Sequence, residues 1–158
     1  VILRFRYLDE PLYGPPPPSL PDDAQRRWRP LIPLSVAGPN GRSISFGRAL
    51  VDPGADDTVL PLDMAQLLAV SFYPATSHSL RWRGQRHSLR YGDVTLELAD
   101  DEGHVLSWPA IVALSAAPVR YPLLGVCGCL QYLDVTFRGA ERIIELQPNA
   151  SFPQLVSP

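Results

Sequence analysis

The chain has 158 residues, nearly half of them apolar and about a fifth charged, which fits one ordinary globular domain with a core of its own. Its formal net charge of -2 offers no broad cationic footprint for nucleic acid or an anionic membrane. No apolar run reaches the roughly 18 residues that a spanning helix needs, and Arg4 and Arg6 interrupt "VILRFRYLDE", which does not fit the apolar centre of a signal peptide.

Eighteen prolines cut helices short and favour strands, turns and extended connections. In chain order, "VILRFRY" reads as a first strand. "DEPLYGPPPPSLPDDAQRR" follows as a polar, proline-rich connection, extended and mobile. Its prolines Pro15 to Pro18 suit a stiff loop better than a ligand for a proline-binding domain. Leu31 to Ala37 and Ser43 to Val51 form a predicted hairpin around Pro39-Asn40-Gly41, with Pro30 and Pro33 placing the first strand at a sheet edge. "TVLP" is a brief strand. "PLDMAQLLAV" is a short helix with Pro61 in its first turn.

Beyond Ser77 the pattern is strands and turns. Val94, Leu96 and Leu98 alternate with Thr95, Glu97 and Ala99, the period of a half-buried strand. "ADDEGH" is a hairpin turn. "YPLLGVCGCLQYLDVTF" passes from a strand through a glycine into a short helix and out into a strand, and "FRGAERIIEL" closes with another hairpin. The expected organisation is a strand and connection over 1–28, the main all-β domain over 29–147, and a tail over 148–158. Cys127 and Cys129 lie two residues apart and are poorly placed to bond each other, so no disulfide framework is indicated and a reducing, cytoplasmic setting is the simpler expectation. His78, His87 and His104 have no ligand spacing with these cysteines, and no metal site is expected. The arginines around Trp82 read as a solvated hairpin. No nucleophile elbow of the Gly-x-Ser-x-Gly kind occurs.

The chemistry-bearing stretch is "RALVDPGADDTVLP", Arg48 to Pro61. Asp-Pro-Gly is strong turn chemistry, because proline presets φ and glycine accepts φ > 0. Yet Asp52 also follows the apolar "ALV" and precedes the apolar "TVL", at the end of buried sheet, where desolvation can raise a carboxyl pKa. Some seventy residues later comes "YPLLG".

Together these residues resemble the retropepsins, the single-domain aspartic proteases of retroviruses and their bacterial and eukaryotic relatives. Leu50 to Leu60 follows the family's apolar strand and Asp-Thr-Gly-Ala loop position by position, except at Pro53. Leu123-Leu124-Gly125 matches its second signature, two apolar residues and a glycine beneath the catalytic loop. The resemblance covers roughly Arg29 to Leu146. It implies a retropepsin-like acid protease half-barrel with one or two short helices, assembled as a two-fold homodimer. Asp52 would be the catalytic carboxylate, with Pro53, Leu123, Leu124 and Gly125 supporting its loop. Gly54, Ala55 and Asp56 would hold an extended peptide by main-chain hydrogen bonds. A flap is expected in "HSLRWRGQRHSL", with Trp82, Arg83 and Gly84 at its tip.

The chain carries a single Asp-x-Gly loop of this kind, so the resemblance implies that the partner carboxylate comes from a second copy. "VILRFRY" and the tail after Leu146 are candidates for the sheet between copies. The family's threonine or serine at position 53 ties the two loops together through its hydroxyl and N–H, and proline has neither. Val126 and Cys127 also lack the charge that often anchors the acidic residue after the loop, so Asp56 would turn to Arg48 or Arg120. The implied function is a homodimeric aspartic endopeptidase needing no cofactor, membrane or nucleic acid. The alternative is a silenced retropepsin-like domain acting as a dimeric peptide-binding or structural module.

Overall fold

The computed structural model describes residues 1–153. Among them the protein is all-β, with thirteen strands, a single α-helical turn and a short 3-10 helix. The strands are β1 (Leu3–Arg6), β2 (Leu8–Pro11), β3 (Arg26–Arg29), β4 (Leu31–Ala37), β5 (Ser43–Val51) and β6 (Val59–Pro61). After helix α1 (Met64–Leu67) come β7 (Ser79–Trp82), β8 (Gln85–Ser88), β9 (Arg90–Ala99), β10 (Val105–Ser115) and β11 (Leu123–Leu124). The 3-10 helix (Leu130–Tyr132), β12 (Leu133–Arg138) and β13 (Ile143–Pro148) follow.

Six strands close into a barrel in the order β10-β6-β11-β5-β4-β9. Alternation drives this closure: Val94, Leu96 and Leu98 on β9 face inward, as their period of two predicts, against Val36, Leu106, Trp108 and Ala110. Trp108 is fully buried and its indole N–H donates to the Gly128 carbonyl at 2.9 Å, so the largest core residue leaves no orphaned donor. Pro109 sits mid-strand on β10, where β6 does not pair; β6 reaches only Ala113 to Ser115. The missing N–H therefore costs no ladder bond.

Three expectations need correction. The stretch after "VILRFRY" is not simply a mobile connection: β2 and β3 form an antiparallel ribbon, with Glu10 opposite Arg27. Pro33 does not mark a sheet edge, because β4 lies between β5 and β9. It falls instead where the β4–β5 register slips between Ile32 and Leu34, an irregularity that tolerates a residue without an N–H. Pro61 ends β6 opposite Ser115 rather than opening the helix. That helix is one turn long and is followed by Ala69 at φ 54°, a left-handed residue that stops it.

The strands near the two ends of the described chain pair within it. β1 pairs with β13 of the same chain, Leu3 opposite Leu146, and β13 pairs with β12, giving a three-stranded sheet. Leu3, Phe5, Ile144 and Leu146 of these strands join the main core. The last part of the predicted tail, 154–158, lies outside the described residues.

Candidate functional site

The segment 52–58 connects β5 to β6, and β11 is threaded between those two strands. Leu123 and Leu124 pair in parallel with Leu50 and Val51, while Leu123 also lies opposite Val59. The two motifs that the sequence separates by seventy residues therefore meet in adjacent strands. The Asp52 N–H donates to the Leu124 carbonyl at 3.1 Å, and the Thr58 N–H to the Cys127 carbonyl at 2.9 Å. In return the N–H groups of Val126 and Cys127 donate to the carbonyls of Ala55 and Asp56 at 2.9 and 2.8 Å. The loop's backbone is thus fixed from below, as buried polar groups require.

Gly125 explains why a glycine stands there. A Cβ on it would lie 2.1 Å from the Asp57 carbonyl oxygen and 2.7 Å from that of Ala55. The 55–57 backbone can approach β11 this closely only because position 125 has no side chain. Thr58 is fully buried, and its hydroxyl donates to the Gly125 carbonyl at 3.4 Å.

Within the loop, the turn and the carboxylate coexist. The Ala55 N–H donates to the Asp52 carbonyl at 3.1 Å, and the Gly54 N–H donates to Asp52 Oδ1 at 3.0 Å. Asp52 thus closes its own Asx-type turn through one oxygen. Among the described residues, its Oδ2 receives no hydrogen bond from a protein donor. Asp52 is half-buried, while Pro53 and Gly54 are exposed. Concavities of about 540 and 480 Å³ lie elsewhere, along Leu62 to Arg90 and Pro61 to Val119, and Asp52 lines neither.

Asp56 is exposed and, among the described residues, makes no ion pair. Neither expected partner reaches it, since Arg120 faces Glu10 instead. It is the next residue, Asp57, that is held: the Tyr91 hydroxyl donates to its Oδ2 at 3.0 Å. Burial, then this bond and the Asp57 charge, with Cys127 adding to it, push the Tyr91 phenol up to about 12, so it remains a hydrogen-bond donor throughout the physiological range. Cys127 is exposed and Cys129 buried. Burial raises the Cys129 thiol to about 12, which marks it as an inert core residue.

The predicted hairpin is present. β7 and β8 pair from Ser79–Ser88 to Trp82–Gln85, and Arg83 and Gly84 turn with φ 48° and 80°, the left-handed pair of a type I′ turn. Leu80 and Leu89 set the base of the hairpin on Val59, Ala113 and Leu123, the strands beside the Asp52 loop. The tip residues Trp82, Arg83 and Gly84 make no side-chain hydrogen bond to that loop among the described residues. Trp82 Nε1 and His87 Nε2 are buried without a partner.

Sequence reasoning missed the group that holds the ribbon to this site. The Glu10 side chain is fully buried. It accepts from the Tyr121 hydroxyl and from Arg29 at 3.5 Å, and it pairs with Arg27 and Arg120 at 3.6 and 3.7 Å. Burial pushes its carboxyl up, but Tyr121, Arg29, Arg120 and Arg27 together outweigh that and hold it below the usual carboxylate range. The Val51 N–H donates to the Pro30 carbonyl and the Leu50 N–H to that of Pro122. Ribbon and Tyr121 loop therefore flank the residues just before Asp52. Nothing local signals this, because Glu10 and Tyr121 stand 111 residues apart.

A second buried carboxylate, Asp100, gathers the β9–β10 turn. Its oxygens accept the N–H groups of Arg4, Glu102 and His104 and approach His104 Nδ1 at 3.1 Å. Glu102 lies near, but the Asp100 lone pairs are already engaged by these donors, which makes the cluster a staple between β1 and the turn. Burial pushes the Asp100 carboxyl up, and the His104 and backbone hydrogen bonds bring it below its ordinary value.

No protein-family model matches the chain. A search of curated proteins likewise gives no match.

Proposed function

We propose that the chain is a retropepsin-like aspartic endopeptidase that works as a homodimer, with Asp52 of each copy facing the other across a two-fold axis. The observation that carries this reading is the seating of the Asp52 loop on Leu123-Leu124-Gly125. The glycine there is sterically required, and the free Asp52 Oδ2 lies in an exposed turn. Two such carboxylates side by side share a proton, since like charges in contact do not both ionise cheaply. The ionised one takes a proton from a water held between them as the water oxygen bonds to the scissile carbonyl carbon, the other hydrogen-bonds the carbonyl oxygen, and the C–N bond then breaks as a proton passes to the leaving amine. The Gly54 carbonyl and the Asp56 N–H, which make no hydrogen bond among the described residues, are left for the peptide main chain beside Ala55, and the hairpin of Trp82, Arg83 and Gly84 closes over it.

The second reading is a dimeric peptide-binding or structural module without catalysis. One feature favours it: Pro53 has no hydroxyl or N–H to tie two loops together. The experiment that separates the readings is cleavage of a diverse peptide library between about pH 4 and 7, where a paired carboxylate titrates. Asp52→Asn and Pro53→Thr forms are run beside the natural protein. Cleavage that disappears in Asp52→Asn supports the enzyme. A silent natural protein with an active, well-folded Pro53→Thr form supports the second reading.

A further inference from the structure

One face of the β2–β3 ribbon carries more positive charge than its own fold uses. Glu10, Arg27 and Arg29 share that face, because Glu10 lies opposite Arg27 and residues alternate between faces along a strand. Arg120 joins them from the loop before β11. Three guanidinium groups thus surround one buried carboxylate, and among the described residues no other acidic side chain pairs with Arg27, Arg29 or Arg120. Arg27 and Arg120 are 46% and 44% exposed and stand 3.6 and 3.7 Å from Glu10. Those are ion pairs without hydrogen bonds, so their N–H groups stay uncommitted.

Arg120 is also oriented. Its guanidinium lies 5.4 Å from the Tyr13 ring and 5.2 Å from the Tyr121 ring, and Tyr13 is 82% exposed. Rings on the guanidinium hold it by cation–π attraction and leave its edge for a planar acceptor. A carboxylate fits that edge in a two-pronged hydrogen bond.

We propose that this face docks an acidic segment of a polypeptide, with Arg120 and Arg27 taking its carboxylates and Tyr13 its apolar stems. The site lies at the side of the Asp52 loop, since Pro30 and Pro122 hydrogen-bond the two residues preceding Asp52. The identification of that polypeptide as a substrate rests on the endopeptidase reading; the docking itself does not. A long nucleic acid fits less well, because the patch is small and the whole chain is net negative.

The test is fluorescence anisotropy of a labelled peptide bearing four glutamates beside an apolar stretch, with the Asp52→Asn chain so that cleavage plays no part. Binding is expected to weaken at least several-fold when the glutamates become glutamines, and again between about 50 and 200 mM salt. Arg120→Gln with Arg27→Gln should erase the preference for the acidic peptide. Tyr13→Ala, which leaves every charge in place, should weaken it. Equal binding of acidic and neutral peptides overturns the proposal, and that comparison needs no altered patch. Tighter binding of a single-stranded oligonucleotide than of the acidic peptide overturns it in favour of nucleic acid. Docking without any cleavage by the natural protein sinks the endopeptidase reading alone, whereas cleavage indifferent to acidic residues with no docking sinks only the surface.

Discussion

At the scale of single residues, the Asp52 loop depends on what position 125 lacks. Placing a methyl group 2.1 Å from a carbonyl oxygen forces the backbone of 55–57 away from β11. Gly125→Ala is therefore expected to lose about 3 kcal/mol or more, the upper range for overpacking. Gly47→Ala is the control: nothing lies within 4 Å of its Cβ and its φ is not positive, so its unfolding free energy from urea melts should stay within about 0.5 kcal/mol of the parent. The cysteines give a second residue-scale prediction. Iodoacetamide at pH 8 should label the exposed Cys127 in the native protein and spare Cys129, whose thiol burial has raised to about 12. Labelling of both at equal rates would mean that the loop beneath Asp52 opens readily.

At the scale of elements, the β7–β8 hairpin owes its register to its two-residue turn. Gly84 at φ 80° adopts that conformation without a Cβ clash, and Gly84→Ala should weaken the hairpin by about 1 kcal/mol. Arg83, at φ 48°, meets the same penalty in part, so Arg83→Asn should strengthen it slightly. Amide hydrogen exchange over residues 79–88 reads both changes, faster in the first and slower in the second, while the barrel strands keep their rates. The sequence made this turn legible because its chemistry is local. The ribbon was not legible: "LDEP" and "RRWR" have no apolar alternation, and the reason they pair is Glu10, whose partners Arg120 and Tyr121 come from the far end of the chain.

Across the whole molecule, two buried carboxylates tie outlying strands to the barrel. Glu10 holds the β2–β3 ribbon to the Arg120-Tyr121 loop, and Asp100 holds β1 to the β9–β10 turn. Both bind protons more weakly in the folded protein than in the unfolded chain. Their stabilisation is therefore fully present above the unfolded carboxyl values, near pH 4, and is lost as pH falls through the lower folded values. Thermal melts should show stability dropping below about pH 4. Glu10→Gln should flatten that drop while lowering stability at neutral pH by about 1–3 kcal/mol, since the arginines lose their counter-charge. A Glu10→Gln protein as stable as the parent at pH 7 would show that Glu10 does not anchor the ribbon. Sedimentation of the natural protein provides the test of assembly, because an endopeptidase with one Asp52 per chain must dimerise at working concentration.

The sequence by itself determined what depends on near neighbours. The β4–β5 hairpin, the alternation of β9, the Arg83-Gly84 turn and the sharp turn at Asp52 are all set by residues within a few positions of each other. A resemblance in two short motifs also pointed to the loop and its support, and the fold places those motifs side by side. Only the tertiary structure decided which strands close the barrel, that β1 pairs with β13, and that Asp57 rather than Asp56 finds a partner. These outcomes turn on desolvation and close approach between residues 30 to 140 positions apart. A buried charge takes whatever compensating groups the folded chain brings to it, and no local pattern in the sequence encodes which those will be.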